Sequence, residues 1–218
     1  VDDIVRVGRE LGMARLSLTA VAGELGVSAT ALYRHVRGRW ELERLVGESI
    51  LAELELRDDP AHDTERHLLS FAGQLRTFVM AHPGLASYLQ VLFPRGESGA
   101  RLLTDEVAAL ERRGYATDAA IVLSGAVATL SIGSAVREER EAEAMGSTGY
   151  DTERDAVVAQ LAGDSRLGSA HVALPQVTPD AFARLVLTAA IRGLVAVAPT
   201  GRPVAEVLDE LGGLEGEW

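Results

Sequence analysis

The sequence predicts an all-helical protein with a small N-terminal head, residues 1–45, on a larger body, residues 46–218. Three observations carry this expectation. Apolar residues recur at three- and four-residue spacing almost throughout, and no stretch alternates with the two-residue period of a strand. Residues that start and stop helices fall where the apolar runs begin and end. Two short helical runs joined by a glycine-centred turn lie within the head, the layout of a helix-turn-helix.

The first helix covers residues 1–13, with Ile4, Val5, Gly8 and Leu11 on one face. Ser17 caps a second that runs to Leu25 and ends at Gly26. Ser28 caps a third carrying Leu32 and Val36, and Gly38 a longer fourth with Leu42, Leu45, Val46 and Ile50 as its buried stripe. Asp58-Asp59-Pro60 breaks the chain and offers a pivot beyond that helix. A fifth helix over 64–81 repeats Leu68, Phe71, Ala72, Leu75, Phe78 and Val79 at amphipathic spacing. Pro83 begins a brief helix to 92, Phe93-Pro94-Arg95-Gly96 turns, and another helix covers 97–113. Thr117-Asp118 opens a long helix to 144. Recurring Gly and Ser over 145–178 leave room for one short helix at 152–162, with loop around it. Thr178-Pro179-Asp180 joins cap, N1 proline and first-turn acid, and starts a helix to 198; a last short one begins at Pro203.

The net charge of −11 divides unevenly. Residues 1–45 hold seven arginines against six acids, and the remainder fourteen against twenty-six. From Leu25 to Trp40 there is no acid, while Arg34, Arg37 and Arg39 fall inside. A local positive field can attract phosphate to a molecule that repels it as a whole. Three such arginines also suit an ordinary solvated face, so charge alone does not decide.

Cysteine is absent, which removes disulfides, thiol nucleophiles and thiolate metal sites, and fits a reducing cytoplasm. All 21 basic residues are arginine, so neither a phosphate-loop lysine nor a Schiff-base lysine is present. No nucleophile elbow, His-Glu-x-x-His pair or dinucleotide glycine pattern occurs, and neither enzyme activity, cofactor nor metal is expected. His62 and His67, near Asp63 and Glu65, match no common ligand spacing and read as a solvated helix face; His82-Pro83 reads as a helix boundary. Residues 119–136 carry no charge and reach the lower limit of a membrane span, but their Ser, Thr and Gly favour a helix buried among protein helices. No membrane partner is expected.

In the head, Val21 and Leu25 with Val27 and Leu32 lock the two short helices, so that the second can project into a major groove. The stretch Leu16-Ser-Leu-Thr-Ala-Val-Ala-Gly-Glu-Leu-Gly-Val-Ser-Ala-Thr-Ala-Leu-Tyr-Arg-His-Val36, followed by Arg37-Gly38-Arg39, resembles the DNA-binding domain of the tetracycline-repressor (TetR/AcrR-type) family. Its specific pieces are Val21-Ala22, Leu25-Gly26-Val27-Ser28, Leu32-Tyr33-x-His35-Val36 and the basic residue that follows. The resemblance implies a transcriptional regulator, more often a repressor. It also implies a homodimer on a palindromic double-stranded DNA operator, released by a small-molecule effector. Ala29 and Thr30 then face base edges, Thr19 and Arg34 reach DNA, Tyr33 and His35 contact phosphate, and Arg39 clamps the backbone. Ser17 and Ser28 stand at helix starts, where phosphates bind well. Ala29 and Ala31 offer only methyl groups, which suits contact with thymine methyls. Tyr33 and Trp40 equally suit aromatic packing, the preferred role for Trp40. A helical interaction module without effector would account for the body but not for the head.

In the body, the resemblance implies an effector pocket among the helices at 64–81, 83–92, 97–113 and 117–144. Phe78, Leu85, Leu89 and Leu103 are its apolar candidates, and His82, Tyr88 and Thr129 its polar ones; all seven also suit plain core or surface roles. The absence of a run of acids or arginines points to a mainly apolar, weakly charged ligand. The helices at 117–144 and 178–198 combine branched residues with small ones: Ser124, Gly125, Ala128 and Gly133 in one, Ala189, Gly193 and Ala196 in the other. Small residues permit close approach and a four-helix interface between two copies.

Overall fold

Caps and apolar faces together produce twelve α-helices among residues 1–91, 93–173, 175 and 177–212, which are those the computed structural model describes. No strand occurs among them. The head holds α1 (Asp2–Leu11), a 3₁₀ turn (Met13–Arg15), α2 (Leu18–Glu24) and α3 (Ala29–Leu32). Ser17 and Ser28 cap α2 and α3 by accepting from the amides of Ala20 (3.0 Å) and Ala31 (3.2 Å). Removing such a cap typically costs about 1 kcal/mol.

α4 (Arg39–Leu51) runs through residues 45 and 46, so head and body share one continuous helix. Ile4, Val7, Val21, Ala22, Leu32, Val36, Leu42 and Val46 form the head's core. Gly8 brings α1 against α4, since a Cβ there would overlap the Val46 side chain. Two expectations are corrected here. Val7 takes the buried place expected for Val5. Val27 is exposed and does not lock the helices: Gly26 turns at φ 66, and the Val27 amide donates to the Ala22 carbonyl (3.0 Å), which faces the side chain outward. Ala22 and Val36 do that work with Val21 and Leu32. α3 stops before Val36 because the amides of Arg34 and His35 reach only three residues back, to Ala31 and Leu32, tightening the chain into a 3₁₀ turn.

The body consists of α5 (Thr64–Met80), α6 (Leu85–Leu89), α7 (Glu97–Glu111), α8 (Thr117–Met145), α9 (Tyr150–Gly163), α10 (Leu167–Ala173), α11 (Pro179–Val197) and α12 (Val204–Gly212). α5 packs on α8 and α11, and α8 also packs on α7. Arg76 of α5 ties the three together, with two bonds to Glu138 (2.6 and 2.7 Å) and one to Asp180 (3.0 Å). α8 is long and apolar enough to cross a membrane by composition, but 50% of that window is buried against other helices.

The brief helix expected over 83–92 is only α6, started by Gly84 at φ 85; position 92 lies outside the described residues. α10 stands where loop was expected. Its start is made by Asp164, whose carboxylate accepts from the amides of Arg166 (2.8 Å) and Leu167 (2.7 Å). Between Gly163 and Gly168 this signal is easily overlooked.

The expected pivot at Asp58 is instead fastened. Asp58 accepts from Arg112 (2.7 Å) and Arg113 (2.7 Å) of the segment closing α7, and lies 3.1 Å from Nδ1 of His67. The other ring nitrogen of His67 lies 3.0 Å from Oε1 of Glu106. His67 is therefore a buried residue with a carboxyl group on each side, not part of a solvated face. Burial alone would raise the Asp58 carboxyl. Hydrogen bonds from Arg113 and Arg112, with the charges of Arg113 and His67, outweigh it and hold the group at about 2.

A depressed folded-state value means stability that is complete above the unfolded value of 3.8 and is lost as pH falls through about 2. Asp58→Asn should therefore cost about 2 kcal/mol at neutral pH. Urea midpoints measured over a pH series should show this deficit unchanged down to about pH 4 and shrinking below it.

Candidate nucleic-acid interface and ligand cavity

The head presents a face built from the end of α3 and the turn after it. Ser17, Thr19, Ser28, Thr30, Tyr33, Arg34, His35 and Arg39 are all exposed, while Ala29 is half-buried against the core. Tyr33 is 57% exposed, so it is no core aromatic. Ser17 and Ser28 spend an acceptor on their helix caps and keep a hydroxyl hydrogen free to donate. Arg39 is paired with Glu43 on the next turn of α4 (2.5 Å). Arg34 and Arg37 have no carboxylate within ion-pair distance of their guanidinium groups among the described residues, so their charge faces solvent unspent.

Trp40 is also exposed, at 61%, which corrects the packing role preferred from sequence. At the start of α4 it points away from the Leu42–Val46 stripe. The Arg95 guanidinium lies 5.1 Å from its ring and 4.4 Å from the ring of Tyr88. These side chains belong to an open, charged groove of about 600 Å³ between head and body, walled also by Glu139, Arg140 and Glu143.

A smaller and more apolar cavity of about 300 Å³ lies among the helices of the body and opens to the surface at Gln90, Phe93, Gly125 and Thr129. Its wall takes Leu51 from the end of α4, Leu54 and Leu56 beyond it, Phe71 and Leu75 from α5, and Leu89 and Gln90 around the end of α6. Phe93, then Leu102, Leu103 and Glu106 of α7, and Ser124, Gly125, Ala128, Thr129 and Ile132 of α8 complete it. Of the seven candidates, Leu89, Leu103 and Thr129 stand in this wall. Phe78, His82, Leu85 and Tyr88 do not. Phe78 is stacked on His82, ring centroids 4.5 Å apart, and His82 Nδ1 bonds to the Phe78 carbonyl (2.9 Å). Leu85 is fully buried core, and Tyr88 faces the open groove. Burial raises the Tyr88 hydroxyl to about 12, helped by the charge of Glu48. The leucines after α4 and Glu106 went unnoticed in the sequence, because their helix-end and charged positions look like surface.

Head and cavity meet at α4. Glu48 Oε2 accepts from the amides of Ser98 (2.8 Å) and Gly99 (3.2 Å), placing a carboxylate on the N-terminus of α7. In return Arg101 of α7 donates to the carbonyls of Leu51 (3.5 Å) and Leu54 (3.0 Å) at the end of α4. Gly47 admits the Tyr88 ring, which an added Cβ would meet at 2.6 Å. The Ala14 amide donates to the Pro83 carbonyl (3.1 Å), a second link between head and body.

On the outside of the body, α11 exposes Phe182, Leu185, Val186, Ala189, Gly193 and Ala196 along one face, and α8 exposes Ile121, Val122 and Leu130. Added Cβ atoms at Gly133 and Gly193 would meet nothing within 4 Å, so no packing within the chain calls for glycine there. Ser124 departs from the expected interface set: it is buried and turned with Ala128 toward the cavity.

No protein-family model matches the chain, and no curated protein matches it. Solved structures do. Apo ActR from Streptomyces coelicolor is 22% identical over 91% of this chain and 97% of its own, with a TM-score of 0.74. ActR in complex with actinorhodin is 24% identical over 92% and 97%, again at 0.74. TetR-Q116A from Acinetobacter baumannii in complex with minocycline is 19% identical over 90% and 96%, at 0.63. Across this range of identity the likeness is one of fold, and the chain has the fold of TetR-family proteins, a helix-turn-helix head on an all-helical body.

Proposed function

We propose that the protein is a TetR-type transcriptional regulator that binds double-stranded DNA through its head as a homodimer and is released by a small, mainly apolar effector. The observation that carries this is the face at Thr30, Tyr33, Arg34, His35 and Arg37, exposed and without guanidinium ion pairs among the described residues, though Glu41 accepts from the Arg37 backbone amide. A helix-turn-helix offers such a face to a groove and its flanking phosphates. Head and body divide the work as residues 1–45 and 46–218, with α4 common to both. The protein acts by binding, without catalysis, in the cytoplasm where its DNA lies. The apolar cavity supports an effector, as do the actinorhodin and minocycline complexes of proteins with this fold. Repression relieved by that effector is the regulatory sense that follows from this pairing.

Two copies are joined through α8 and α11. The exposed stripe of Phe182, Leu185, Val186, Ala189 and Gly193 has the spacing and small residues of a helix-packing face. A dimer of heads reads half-sites about 34–36 Å apart, or a multiple of that distance.

The DNA reading is tested by titrating mixed-sequence duplex at several salt concentrations. Arg34→Ala should lower the salt slope by about one unit, and Tyr33→Phe should weaken binding to all sequences alike. Arg39→Ala should change the slope less, since Glu43 already neutralises part of its charge. Selection from a randomised duplex pool should return a different preferred sequence for Thr30→Ala. Unchanged binding in all four variants would remove the assignment.

For the dimer, Leu185 is 62% exposed in the single chain, so a charge there is harmless to folding. Leu185→Glu should weaken dimerisation by at least about thirtyfold in sedimentation equilibrium, with an unchanged melting temperature of the monomer. A wild-type chain that stays monomeric at micromolar concentration would end this reading.

A further inference from the structure

Among the described residues that wall the cavity, Glu106 alone is ionisable. It is 3% exposed, on a face otherwise occupied by Leu102, Leu103, Phe71 and Ile132. The hydroxyls of Ser124 and Thr129 are spent on carbonyls of their own helix, at Ile121 (3.1 Å) and Gly125 (2.8 Å). Glu106 is held differently. Its Oε1 lies 3.0 Å from Nε2 of His67, whose Nδ1 is fixed by Asp58 at 3.1 Å, and Asp58 is fastened in turn by Arg112 and Arg113. Its second oxygen, Oε2, has no hydrogen-bond partner among the described residues.

Oε2 is not one of the atoms sealed off without a partner, so it keeps some accessible surface and is open to a donor from outside the chain. Oε2 remains an acceptor in either proton arrangement of the pair. With the proton on His67 Nε2, Glu106 is a carboxylate; with the proton on Oε1, Oε2 is a carbonyl oxygen. Oε2 therefore lacks a donor within the chain, and Glu106 stands in the wall of the cavity, from which one can come. Burial pushes the carboxyl upward, with the His67 hydrogen bond opposing it, as befits a group poised beside an apolar space.

We propose that Glu106 is the polar anchor of this cavity and that its occupant is an uncharged, apolar molecule whose hydroxyl donates to Oε2. This rests on the reading of the cavity as the effector site. An anionic occupant would meet a carboxyl group with no arginine in the wall to offset it. An ammonium would have to shed its water in an apolar chamber backed by Arg112 and Arg113 against the single charge of Asp58. A volume of about 300 Å³ suits a molecule of two or three fused rings.

Isothermal titration of the full chain with 2-naphthol, 2-methoxynaphthalene, naphthalene, 2-naphthoate and 2-naphthylmethylamine tests the assignment. 2-Naphthol should bind about tenfold tighter than naphthalene, a typical return for one buried hydrogen bond. The methoxy compound keeps the oxygen but lacks the hydrogen and should lose that advantage, and both charged compounds should bind more weakly than 2-naphthol. Glu106→Met should bring 2-naphthol and naphthalene within about twofold of each other. Equal binding of 2-naphthol and 2-methoxynaphthalene by the wild-type chain overturns the anchor, whether or not the Glu106 variant folds. Leu103→Trp fills the cavity and separates the two levels of failure. If it abolishes binding while 2-naphthol shows no advantage, only the anchor falls. If 2-naphthol binds this variant as it does the wild type, or if none of the five compounds binds the wild type, the cavity reading falls and the anchor with it.

Discussion

The reciprocal clamp between α4 and α7 is the constraint on which the rest depends. Glu48 of α4 sits on the amides that begin α7, and Arg101 of α7 sits on the carbonyls that end α4. Each helix thus satisfies backbone groups that the other leaves open, at an end where a helix cannot satisfy its own. The arrangement holds the C-terminal end of α4 and the residues just after it, from Glu48 to Leu54. Because the N-terminal half of α4 is also the floor of the head, the direction of the head's exposed face is set by α7. That same α7 contributes Leu102, Leu103 and Glu106 to the cavity wall.

A molecule in the cavity can alter the head only by binding one placement of α4 more tightly than another. The wall makes such a difference available, since Leu51 is the last residue of α4 and Leu54 and Leu56 follow it directly. Moving α4 strains the Arg101 bonds and shifts these leucines together. Past that point the chain is held, because Asp58 is gripped by Arg112, Arg113 and His67. The movable part is therefore α4 with the short stretch up to Asp58, and the fixed reference is the α5–α7 pair. A shift from one population to nearly the other requires about 5.5 kcal/mol of differential binding. Contacts to three leucines plus one buried hydrogen bond are of that order.

The head was legible in the sequence because its signals are local. Ser17, Gly26, Ser28 and Gly38 punctuate short helices within a few residues of each other, and each does in the structure what its chemistry allows. The long helices of the body were legible for the same reason, through the Thr178-Pro179 start and the apolar period of α5. The cavity was not, because its wall is assembled from five separate segments and no periodicity marks which side of a buried helix meets empty space. Phe78 and Phe71 look alike along α5, yet only Phe71 lines the cavity. His67 was misread because its two partners come from positions 58 and 106, and no spacing rule links three such distant residues. Trp40 was misread because a large aromatic next to a core stripe usually joins it, whereas here it lies out on the nearly buried Arg95 guanidinium.

Charge explains why joining two copies matters to the proposed function. The body carries −12 and the head +1 of the net charge of −11, so the head holds barely more arginines than acids. Even within the head, Arg6, Arg9 and Arg39 are taken up by Glu10, Glu53 and Glu43, so few positive charges remain to displace counterions. A single head can therefore gain only a shallow electrostatic attraction for DNA, opposed at short range by the acidic body. Two heads at a fixed spacing change this without adding a contact, because the second binds at the effective concentration set by the first. In the proposed dimer, the exposed apolar stripe of α11, costly on a lone chain, would be the feature that lets so acidic a protein hold DNA, and only where two half-sites match its geometry.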